Sequence, residues 1–584
     1  MRPGDSDGGY PDREGHPHES AGSGGGENGS AGALDPLSVL AGELEPQGSE
    51  GALLTLDPDL PPRHISRLPE PSDPEVSPKR LGLTLGILLL IALGVLLILR
   101  HASAKSGAIA AGSASFVPYV DVTLPPTYPF EEAADDPAHD VALGFVVAGA
   151  SAPCTPSWGG YYTLQRAASS LDLERRIVQL RGEGGEAMVS FGGQRGSELA
   201  LTCKSEPRLA SAYGEVVQRY KLHTVDFDIE GAALSDAGAS ARRAQAIASL
   251  QRDKQIAGGH LAVWLTLPVT PSGLSPSATA VVEQMLARHV RLAGVNAMTM
   301  DFGAPGAPNE HVLASSERAL EALDRQLPAI YRAAGLRLSS ERAWGMIGAT
   351  PMIGENDVSG EVFTLADARK LTAFAKKQHM ARISMWSLNR DEQCNAASVE
   401  ASGASNLCSG VEQRPLEFSH IFAKLHSSST KSAVRPAEPI PGTVQATSGT
   451  PANSPYPIWK PTIGYPAGYK VVWDGDVYQA RWYSEEQRPN IASVEGQETP
   501  WLLVGPVLPG EHMPRIPHPK PGTYQAWSAR KVYRAGDHVL YRGLPYEAKW
   551  YSEGQSPPAE PEGSQSTPWK PLYKIPGEPS LQAN

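Results

Sequence analysis

The stretch HTVDFDIEG, from His223 to Gly231, places a carboxylate at every second position between apolar residues. Successive side chains of a β-strand point to opposite faces, so Asp226, Asp228 and Glu230 are predicted to share one face of a strand. Crowding three acids in this way is costly, because like charges repel and each buried charge loses its hydration. We therefore treat the three acids as a candidate site and ask what fold would hold them.

Apolar runs of strand length recur between residues 116 and 426, and segments with helical patterns, such as ARRAQAIASLQRD, separate them. Near-continuous apolar strands that alternate with helices indicate a parallel sheet covered by helices. Eight such units in about 310 residues favour a closed (β/α)8 barrel of the α/β class over an open sheet. The runs are FVPYVDV, ALGFVVAG, EAMVSFGG, TVDFDIEG, LAVWLTLP, GVNAMTMDF, AWGMIGATP and RISMWSLN.

Polar or conformationally special residues gather at the carboxyl ends of these runs, where (β/α)8 barrels carry their sites. The three acids of the fourth run are therefore predicted to point into the barrel and to rise toward its open mouth. The residues at the run ends are Gly192, Gly193, Glu230, Pro268, Asp301, Pro351 and Trp386.

Three interpretations of the acids can be compared. A calcium or magnesium site needs oxygens from a loop that wraps the ion, whereas a rigid strand supplies them in a line. Neutralisation by buried bases is disfavoured, because we recognise no inward-facing lysine or arginine in the eight runs. The third interpretation is acid chemistry: at least one crowded carboxyl should keep its proton near neutrality and could donate it to the leaving oxygen of a glycosidic bond.

Four of the runs also carry a family resemblance. VDFDIEG resembles the DxDxE signature of family 18 chitinases, and VSFGG resembles the SxGG strand of the same family. MTMDF is similar to its sixth-strand element, and MWSLNRD to its eighth strand with a substrate-stacking tryptophan. The similarity covers residues 116 to 426, and the cysteine spacing in NRDEQC…NLCSG resembles that of secreted bacterial members.

The resemblance implies substrate-assisted retaining hydrolysis without a cofactor. Glu230 would protonate the glycosidic oxygen and then act as a base toward water, while the N-acetyl carbonyl of the substrate attacks the anomeric carbon. Asp228 would orient the acetamide, and Asp226 would tune Asp228. The resemblance implies substrate contacts by Trp386, as the floor of the sugar site, and by Asp301, Met300, Gly192 and Gly193.

Two residues depart from the family pattern. His223 stands where the family often has an aspartate, three residues before the first acid, and Met300 replaces an aromatic hydroxyl expected beside Asp301. The first change leaves the three acids intact. The second removes a hydrogen-bond donor to the acetamide, so weaker binding of that group is expected.

An uncharged segment, LGLTLGILLLIALGVLLIL from Leu81 to Leu99, is nearly long enough to span a bilayer. We predict a transmembrane helix over 79–101, preceded by a disordered cytoplasmic tail (1–78) and followed by a stalk (102–115). A buried core helix and a cleaved signal peptide, with its cleavage site at residues 102–104, are the alternatives.

The basic residues around this segment favour one orientation. More lie before it than after it, so the N-terminus is predicted to be cytoplasmic and the barrel extracellular, on a single-pass membrane protein. Cleavage near residue 104 would instead give a secreted protein. The residues are Arg63, Arg67, Lys79 and Arg80 before the segment and Arg100 and Lys105 after it.

All four cysteines follow the apolar segment, on the side where disulfides persist. We predict the pairs Cys154–Cys203 and Cys394–Cys408, with reduced cysteines as the alternative. Their spacing is not that of a zinc site, so no metal is expected. The net charge of −12 argues against nucleic acid as a partner, and we expect a monomer.

The C-terminal part of the chain contains an internal repeat. A Pro/Ser/Thr-rich linker (427–458) precedes two segments, here called module 1 (459–508) and module 2 (527–576), with a second linker at 509–526. Six residues recur between them at a constant offset of 68: Trp459, Tyr478, Trp482, Tyr483, Pro489 and Trp501 match Trp527, Tyr546, Trp550, Tyr551, Pro557 and Trp569.

The repeated ARWYS and AKWYS resemble the AKWWT element of carbohydrate-binding modules of families 5 and 12. Neighbouring strand residues face opposite ways, so one ring of each pair, Trp482 with Tyr483 and Trp550 with Tyr551, is expected to be exposed for stacking on a sugar. The alternative is that both rings of a pair are buried in the small core.

The expectation for the whole chain is a membrane-anchored enzyme that hydrolyses β-1,4-linked N-acetylglucosamine in chitin and binds the polymer through two small all-β modules. An endo-β-N-acetylglucosaminidase acting on peptidoglycan or glycans is one alternative. A chitin lectin without activity is the other, and it would be expected to lack Glu230.

Overall fold

In the computed structural model the described residues are 114–132, 137–150, 152–303, 312–395, 404–426, 453–489, 499–516, 518–520, 522–557 and 567–579. Within these ranges no helix has both the length and the apolarity needed to cross a bilayer. The predicted transmembrane helix, the tail before it and nearly all of the stalk lie outside them, as do residues 427–452 of the linker.

The described part of the barrel region contains fourteen strands: β1 (Ser115–Phe116), β2 (Tyr119–Asp121), β3 (Asp140–Gly149), β4 (Ala152–Trp158), β5 (Tyr162–Thr163), β6 (Glu186–Gly192), β7 (Thr224–Asp228), β8 (Ala262–Thr270), β9 (Gly273–Leu274), β10 (Leu292–Met298), β11 (Ile347–Thr350), β12 (Gly354–Glu355), β13 (Val362–Phe363) and β14 (Arg382–Ile383).

These strands form the predicted (β/α)8 barrel, in which β1 and β2 are two parts of one strand. β1 pairs with β14 and β2 with β3, and the circle continues through β6, β7, β8, β10 and β11 with every pairing parallel. Each of the eight apolar runs contains one strand of this circle. The closed circle leaves no unpaired edge, and β4 with β5 extends it as a hairpin beside β3.

Helices cover the outside of the barrel. Their apolar residues pack with those of the strands in one continuous core, which explains why the strand runs are apolar on both faces. The helices described are α1 (Leu164–Ser170), α2 (Leu173–Gly182), α3 (Leu199–Thr202), α4 (Glu206–Arg219), α5 (Gly231–Ser235), α6 (Ala237–Ile256), α7 (Pro276–Ala287), α8 (Val312–Ala333), α9 (Ser340–Trp344), α10 (Leu365–Gln378) and α11 (Glu417–Phe422), with 3-10 turns at Leu388–Arg390 and Ala423–His426.

Both predicted disulfides are confirmed. Cys154, at the start of the β4 hairpin, bonds to Cys203 beside α3, with Cα atoms 4.7 Å apart. Cys394 bonds to Cys408 after the last barrel strand, with Cα atoms 5.0 Å apart. The first bond links the hairpin to the loop after β6, and both of these segments contribute walls to the cleft described below.

The two modules are small all-β units, as predicted, with antiparallel pairs throughout the described strands except for the parallel pair of β18 and β20 in module 2. Module 1 has β15 (Lys470–Trp473), β16 (Asp476–Ala480) and β17 (Trp501–Pro506). Module 2 has β18 (Gln525–Ala526), β19 (Val532–Tyr533), β20 (His538–Tyr541), β21 (Leu544–Ala548), β22 (Ser552–Glu553) and β23 (Trp569–Pro571). Equivalent tryptophans donate equivalent bonds, from Trp501 to the Gln487 carbonyl at 2.9 Å and from Trp569 to the Gln555 carbonyl at 2.8 Å.

The expectation that one ring of each aromatic pair would be buried is wrong. Trp482 and Tyr483 are 41% and 62% exposed, and Trp550 and Tyr551 are 45% and 61% exposed. The pairs follow the ends of β16 and β21, so strand alternation does not apply to them. Each module therefore presents two rings to solvent.

Candidate active site

Two glycines at the end of β6 allow the acidic strand to lie close. Gly192 and Gly193 have φ angles of +104° and +84°, and the Gly193 amide donates to the Asp228 carbonyl at 3.0 Å. A Cβ on Gly192 would lie 2.0 Å from that same carbonyl oxygen, so only glycine fits there. These glycines, predicted to contact substrate, instead lie behind the cleft and position Asp228.

Asp226 is fully buried and is held by hydroxyl groups from three other strands. Its Oδ2 accepts from Tyr119 Oη at 2.8 Å and from Ser190 Oγ at 2.7 Å, and its Oδ1 accepts from Thr266 Oγ1 at 2.7 Å. Asn296 donates to Thr266 Oγ1 at 3.1 Å and continues this network on β10. Asp226 therefore accepts hydrogen bonds from three side-chain hydroxyl groups, each of which has one proton to give.

Asp228 has the opposite surroundings. The side chain is buried, and its Oδ1 has no hydrogen-bond partner among the described residues. Burial, followed by the charges of Glu230 and Asp226, raises the pKa of Asp228 well above its usual range. Asp228 therefore keeps its proton at pH values where an exposed aspartate is ionised.

Glu230 lies just beyond β7, in extended conformation with φ −140°, and precedes α5. Its half-buried carboxyl lines a cleft of about 820 Å3 that also contains Asp228 and Asp301. Burial raises the pKa of Glu230 to about 7, and the charge of Asp301 adds to the shift. Glu230 can therefore hold a proton near neutral pH and release it to a group in the cleft.

Asp301 is fixed opposite Glu230 by the backbone. Its φ is +52°, and its Oδ1 accepts from the Val358 amide at 3.0 Å. Burial raises the pKa of Asp301, and the nearby acids Asp357 and Glu361 add to the shift. Asp301 and Asp357 thus line the same cleft as Asp228 and Glu230.

Aromatic and apolar side chains form the rest of the cleft wall. Trp386 stacks on Phe145 with ring centroids 5.5 Å apart, and its amide bonds to the Pro351 carbonyl at 2.9 Å. Met300 lines the same cleft. Tyr161, in the turn between β4 and β5, lies at the rim and is 77% exposed. The cleft therefore joins flat apolar surfaces to a cluster of acids.

The prediction that no base faces into the barrel is wrong. Arg382, the first residue of β14, is fully buried, with its guanidinium 5.7 Å from the Tyr119 ring centroid and 5.3 Å from that of Trp264. It donates to Ser384 Oγ at 2.6 Å, and among the described residues no carboxylate forms a salt bridge with it. Its charge therefore acts through Tyr119, the donor to Asp226.

The residue that departs from the family pattern at 223 lies outside the site. His223 is exposed at the start of β7, and its carbonyl accepts from the Ala262 amide at 2.9 Å. Met300, in contrast, borders the cleft, so the missing hydroxyl is a change within the site itself.

The hydroxyl groups that hold Asp226 were not predicted from the sequence. Tyr119, Ser190 and Thr266 all lie within quoted strand runs, at positions that face the barrel interior. Alternation along the first run could have identified Tyr119 as inward-facing. Nothing in the sequence identifies its partner, since the two residues are 107 positions apart.

Two curated proteins similar to this chain are named as chitinases. The chain is 36% identical over 319 residues to a probable bifunctional chitinase/lysozyme of Escherichia coli K12. It is 34% identical over 285 residues to endochitinase 11 of Metarhizium anisopliae. The matches take in 53% and 47% of this chain, but only 34% and 52% of the two curated relatives.

A solved catalytic domain gives the more complete match. The chain is 30% identical to the catalytic domain of the hyperthermophilic chitinase from Pyrococcus furiosus, over 97% of that domain and 55% of this chain, with a TM-score of 0.47. The chain belongs to the GH18 chitinase family. The family 18 barrel is followed by a recognised module, since residues 526–570 match carbohydrate-binding module family 5/12. The matched residues are those of module 2, and the repeat relates module 1 to it.

Proposed function

We propose that this GH18 family member is a chitinase that cleaves β-1,4-linked N-acetylglucosamine polymers with retention, through the acetamide of the substrate. The observation that carries the proposal is the difference between the three acids. Asp226 has three hydrogen-bond donors, Asp228 has a buried oxygen without a partner, and Glu230 has a pKa of about 7.

Each acid is suited to one step. Glu230 donates its proton to the glycosidic oxygen as the bond to the anomeric carbon breaks, and the acetamide oxygen attacks that carbon from the other side. The Asp228 oxygen that lacks a partner accepts a hydrogen bond from the acetamide N–H and so orients that group as positive charge develops on it. Asp226 takes up the proton of Asp228 or stabilises it, as the acids titrate together.

The cleft wall and the modules serve binding. Trp386 provides a stacking surface beneath the reacting sugar, and Asp301 binds close to the acetamide. The exposed pairs Trp482–Tyr483 and Trp550–Tyr551 stack on sugar rings of the polymer. Two modules on one chain strengthen adsorption because the second contact is intramolecular.

Peptidoglycan is the second candidate substrate, since one relative is named a chitinase/lysozyme. Incubating the full chain separately with chitin oligosaccharides and with muropeptides, followed by mass spectrometry of the products, distinguishes the two. We expect N-acetylglucosamine oligomers to be cleaved and muropeptides to remain intact. Cleavage of muropeptides alone would overturn the choice of chitin, and cleavage of neither would overturn the enzymatic proposal.

For location we propose a single-pass membrane protein with the barrel outside the cell, on the strength of the apolar segment 81–99 and the charges around it. Added protease should then remove the modules from intact cells, whereas an N-terminal tag should be protected. Digestion of the tag on intact cells would overturn the orientation, and recovery of all the protein from the medium would favour cleavage near residue 104.

A further inference from the structure

Module 1 contacts the barrel through buried charges at the start of α2. Asp172 is almost fully buried, and both its carboxylate oxygens lie within hydrogen-bond distance of Tyr456 Oη, at 2.8 and 2.9 Å. Lys470 of β15 forms an ion pair with the same carboxylate. Asp172 does not cap its own helix, so its carboxylate is satisfied mainly from module 1.

Arg175, one turn further along α2, makes the complementary contact. Its guanidinium forms two parallel bonds to Glu511, of 2.6 and 3.0 Å, and donates to the Pro506 carbonyl at 2.6 Å. The arginine is 2% exposed, and its Nε lies 3.3 Å from Asp172. A paired bond of this kind fixes both position and direction, because a planar guanidinium must align with the carboxylate.

The backbone of module 1 also approaches α2 too closely for a side chain. Gly505 of β17 has a φ of +133°, and a Cβ there would lie 2.9 Å from the Arg175 carbonyl oxygen and 3.0 Å from Gln179 Cβ. The sheet of module 1 therefore rests directly on the helix, without intervening side chains at this point.

Module 2 keeps the sugar-facing residues but not these contacts. His538 stands at the repeat position of Lys470, and Tyr573 stands at the repeat position of Gly505. A tyrosine at the Gly505 position would clash with α2, because even a Cβ there lies 2.9 Å from the Arg175 carbonyl oxygen. The two copies thus share the exposed aromatic pairs and differ where module 1 meets the barrel.

We propose that module 1 docks on α2 as a fixed extension of the catalytic barrel, through an interface that pairs Asp172 and Arg175 with Tyr456, Lys470 and Glu511. Only module 1 is built for this position. The residues 453–458, predicted as part of a flexible linker, belong to the docked unit, because Ile458 bridges to Val472 of β15 and Tyr456 reaches Asp172.

Docking fixes the position of the exposed Trp482 and Tyr483 rings relative to the cleft. Arg481, next to Trp482, forms an ion pair with Glu132. The same loop lines the cleft at Thr123 and Leu124 and is tied to α2 by a 2.7 Å ion pair between Glu131 and Arg176. Two adjacent arginines of α2 thus make the two contacts: Arg175 binds Glu511 beside module 1, and Arg176 binds Glu131 in the loop that lines the cleft.

The interface is tested by reading the stability of the barrel and of each module separately in the full chain. We suggest heating the protein in steps, applying a short protease pulse at each temperature, and following peptides of each domain by mass spectrometry. Lys470→Met leaves the Asp172 charge without its module partner, and such a loss is strongly destabilising for a buried ion pair. Asp172→Asn keeps a residue type that tolerates its φ of +50°.

We expect Lys470→Met and Asp172→Asn each to lower the temperature at which barrel peptides become susceptible by several degrees. The double variant should fall no further than the worse single variant, because both changes remove one contact. The matched control, His538→Met in module 2, should leave the barrel unchanged.

A shift confined to module 1 peptides in Lys470→Met, with the barrel unaffected, would overturn the docking proposal. So would fully additive shifts in the double variant. The readout does not use catalysis, so this test can fail while the proposed function stands, and the reverse also holds.

Discussion

The hydroxyl of Tyr119 donates a 2.8 Å hydrogen bond to the Oδ2 atom of Asp226, across the interior of the barrel. Tyr119 is on β2 and Asp226 on β7, so the bond exists only when the barrel is closed. Burial and the Asp226 charge raise the pKa of Tyr119 well above its usual range, which keeps the phenol protonated as a donor. This bond ties the Asp226 carboxyl group to β2.

Removing that donor should slow the chemical step. Tyr119→Phe leaves Asp226 with two donors, so we expect kcat on soluble chitin oligomers to fall by about 10- to 100-fold, the usual range for a bond to a charged group. The change in KM should be small. Tyr213→Phe is the matched control, since Tyr213 is also buried and donates to a carboxylate, Glu198, at 2.9 Å. Equal losses of kcat in the two variants would contradict a specific role for Tyr119.

The pH dependence should follow the Glu230 proton. Catalysis needs the protonated acid, so kcat/KM should decline as pH rises through about 7. Asp301→Asn removes a charge that raises the pKa of Glu230, and the alkaline limb should move to lower pH. The measurement is the pH profile of kcat/KM between about pH 4 and 9 for the parent protein and for Asp301→Asn. An alkaline limb at the same pH in both proteins would contradict the coupling of Asp301 to Glu230.

The same shift affects stability with a definite sign. The pKa of Glu230 is higher in the folded protein than its usual value of 4.5, so the folded state holds the proton more tightly. Stability should therefore decrease as pH rises from about 4.5 to about 7, where the buried side chain takes on charge. Glu230→Gln should flatten this part of the pH profile of the unfolding temperature. A profile identical to that of the parent protein would contradict the shift.

Arg382 should matter for catalysis although it lies away from the cleft. Arg382→Met removes the buried positive charge beside Tyr119, the donor to Asp226. We expect kcat to fall by about tenfold, which corresponds to about 1.4 kcal/mol, with a smaller effect in Arg382→Lys. Steady-state kinetics at several pH values provide the measurement. Full kcat in Arg382→Met, together with a lowered unfolding temperature, would reduce Arg382 to a packing residue.

Adsorption to solid chitin should depend on both exposed pairs. Replacing Trp482 and Tyr483 by alanine should weaken adsorption of the full chain by about 10- to 100-fold, because bivalent attachment is lost. The equivalent change at Trp550 and Tyr551 should have a similar effect. Val532→Ala is the control, since Val532 is 42% exposed on module 2 but outside the pair. Unchanged adsorption in both alanine pairs would exclude the rings as the binding surface.

Much of this arrangement could be predicted from the sequence. The apolar runs gave all eight barrel strands because parallel strands covered by helices are apolar on both faces. The spacing of the acids gave the orientation of Asp226 and Asp228, since strand geometry has a period of two. Glu230 fits the same period, although β7 ends at Asp228 and Glu230 extends beyond it.

The rest depends on contacts between distant parts of the chain. Arg382 is the first residue of the eighth apolar run. Its burial between Tyr119 and Trp264 could be recognised only once β2, β8 and β14 had been brought together. The exposed rings were mispredicted because Trp482 follows a strand instead of lying within one. The interface between α2 and module 1 joins residues about 300 positions apart, and no local pattern marks such a pair.

The most direct test of the account is the Glu230→Gln variant of the full chain, assayed on chitin oligosaccharides with adsorption to solid chitin measured in parallel. Glutamine keeps the size of the side chain but has no proton to donate. The account predicts a loss of turnover of about 10²- to 10⁴-fold with adsorption unchanged. Turnover close to that of the parent protein would contradict Glu230 as the acid and, with it, the central claim.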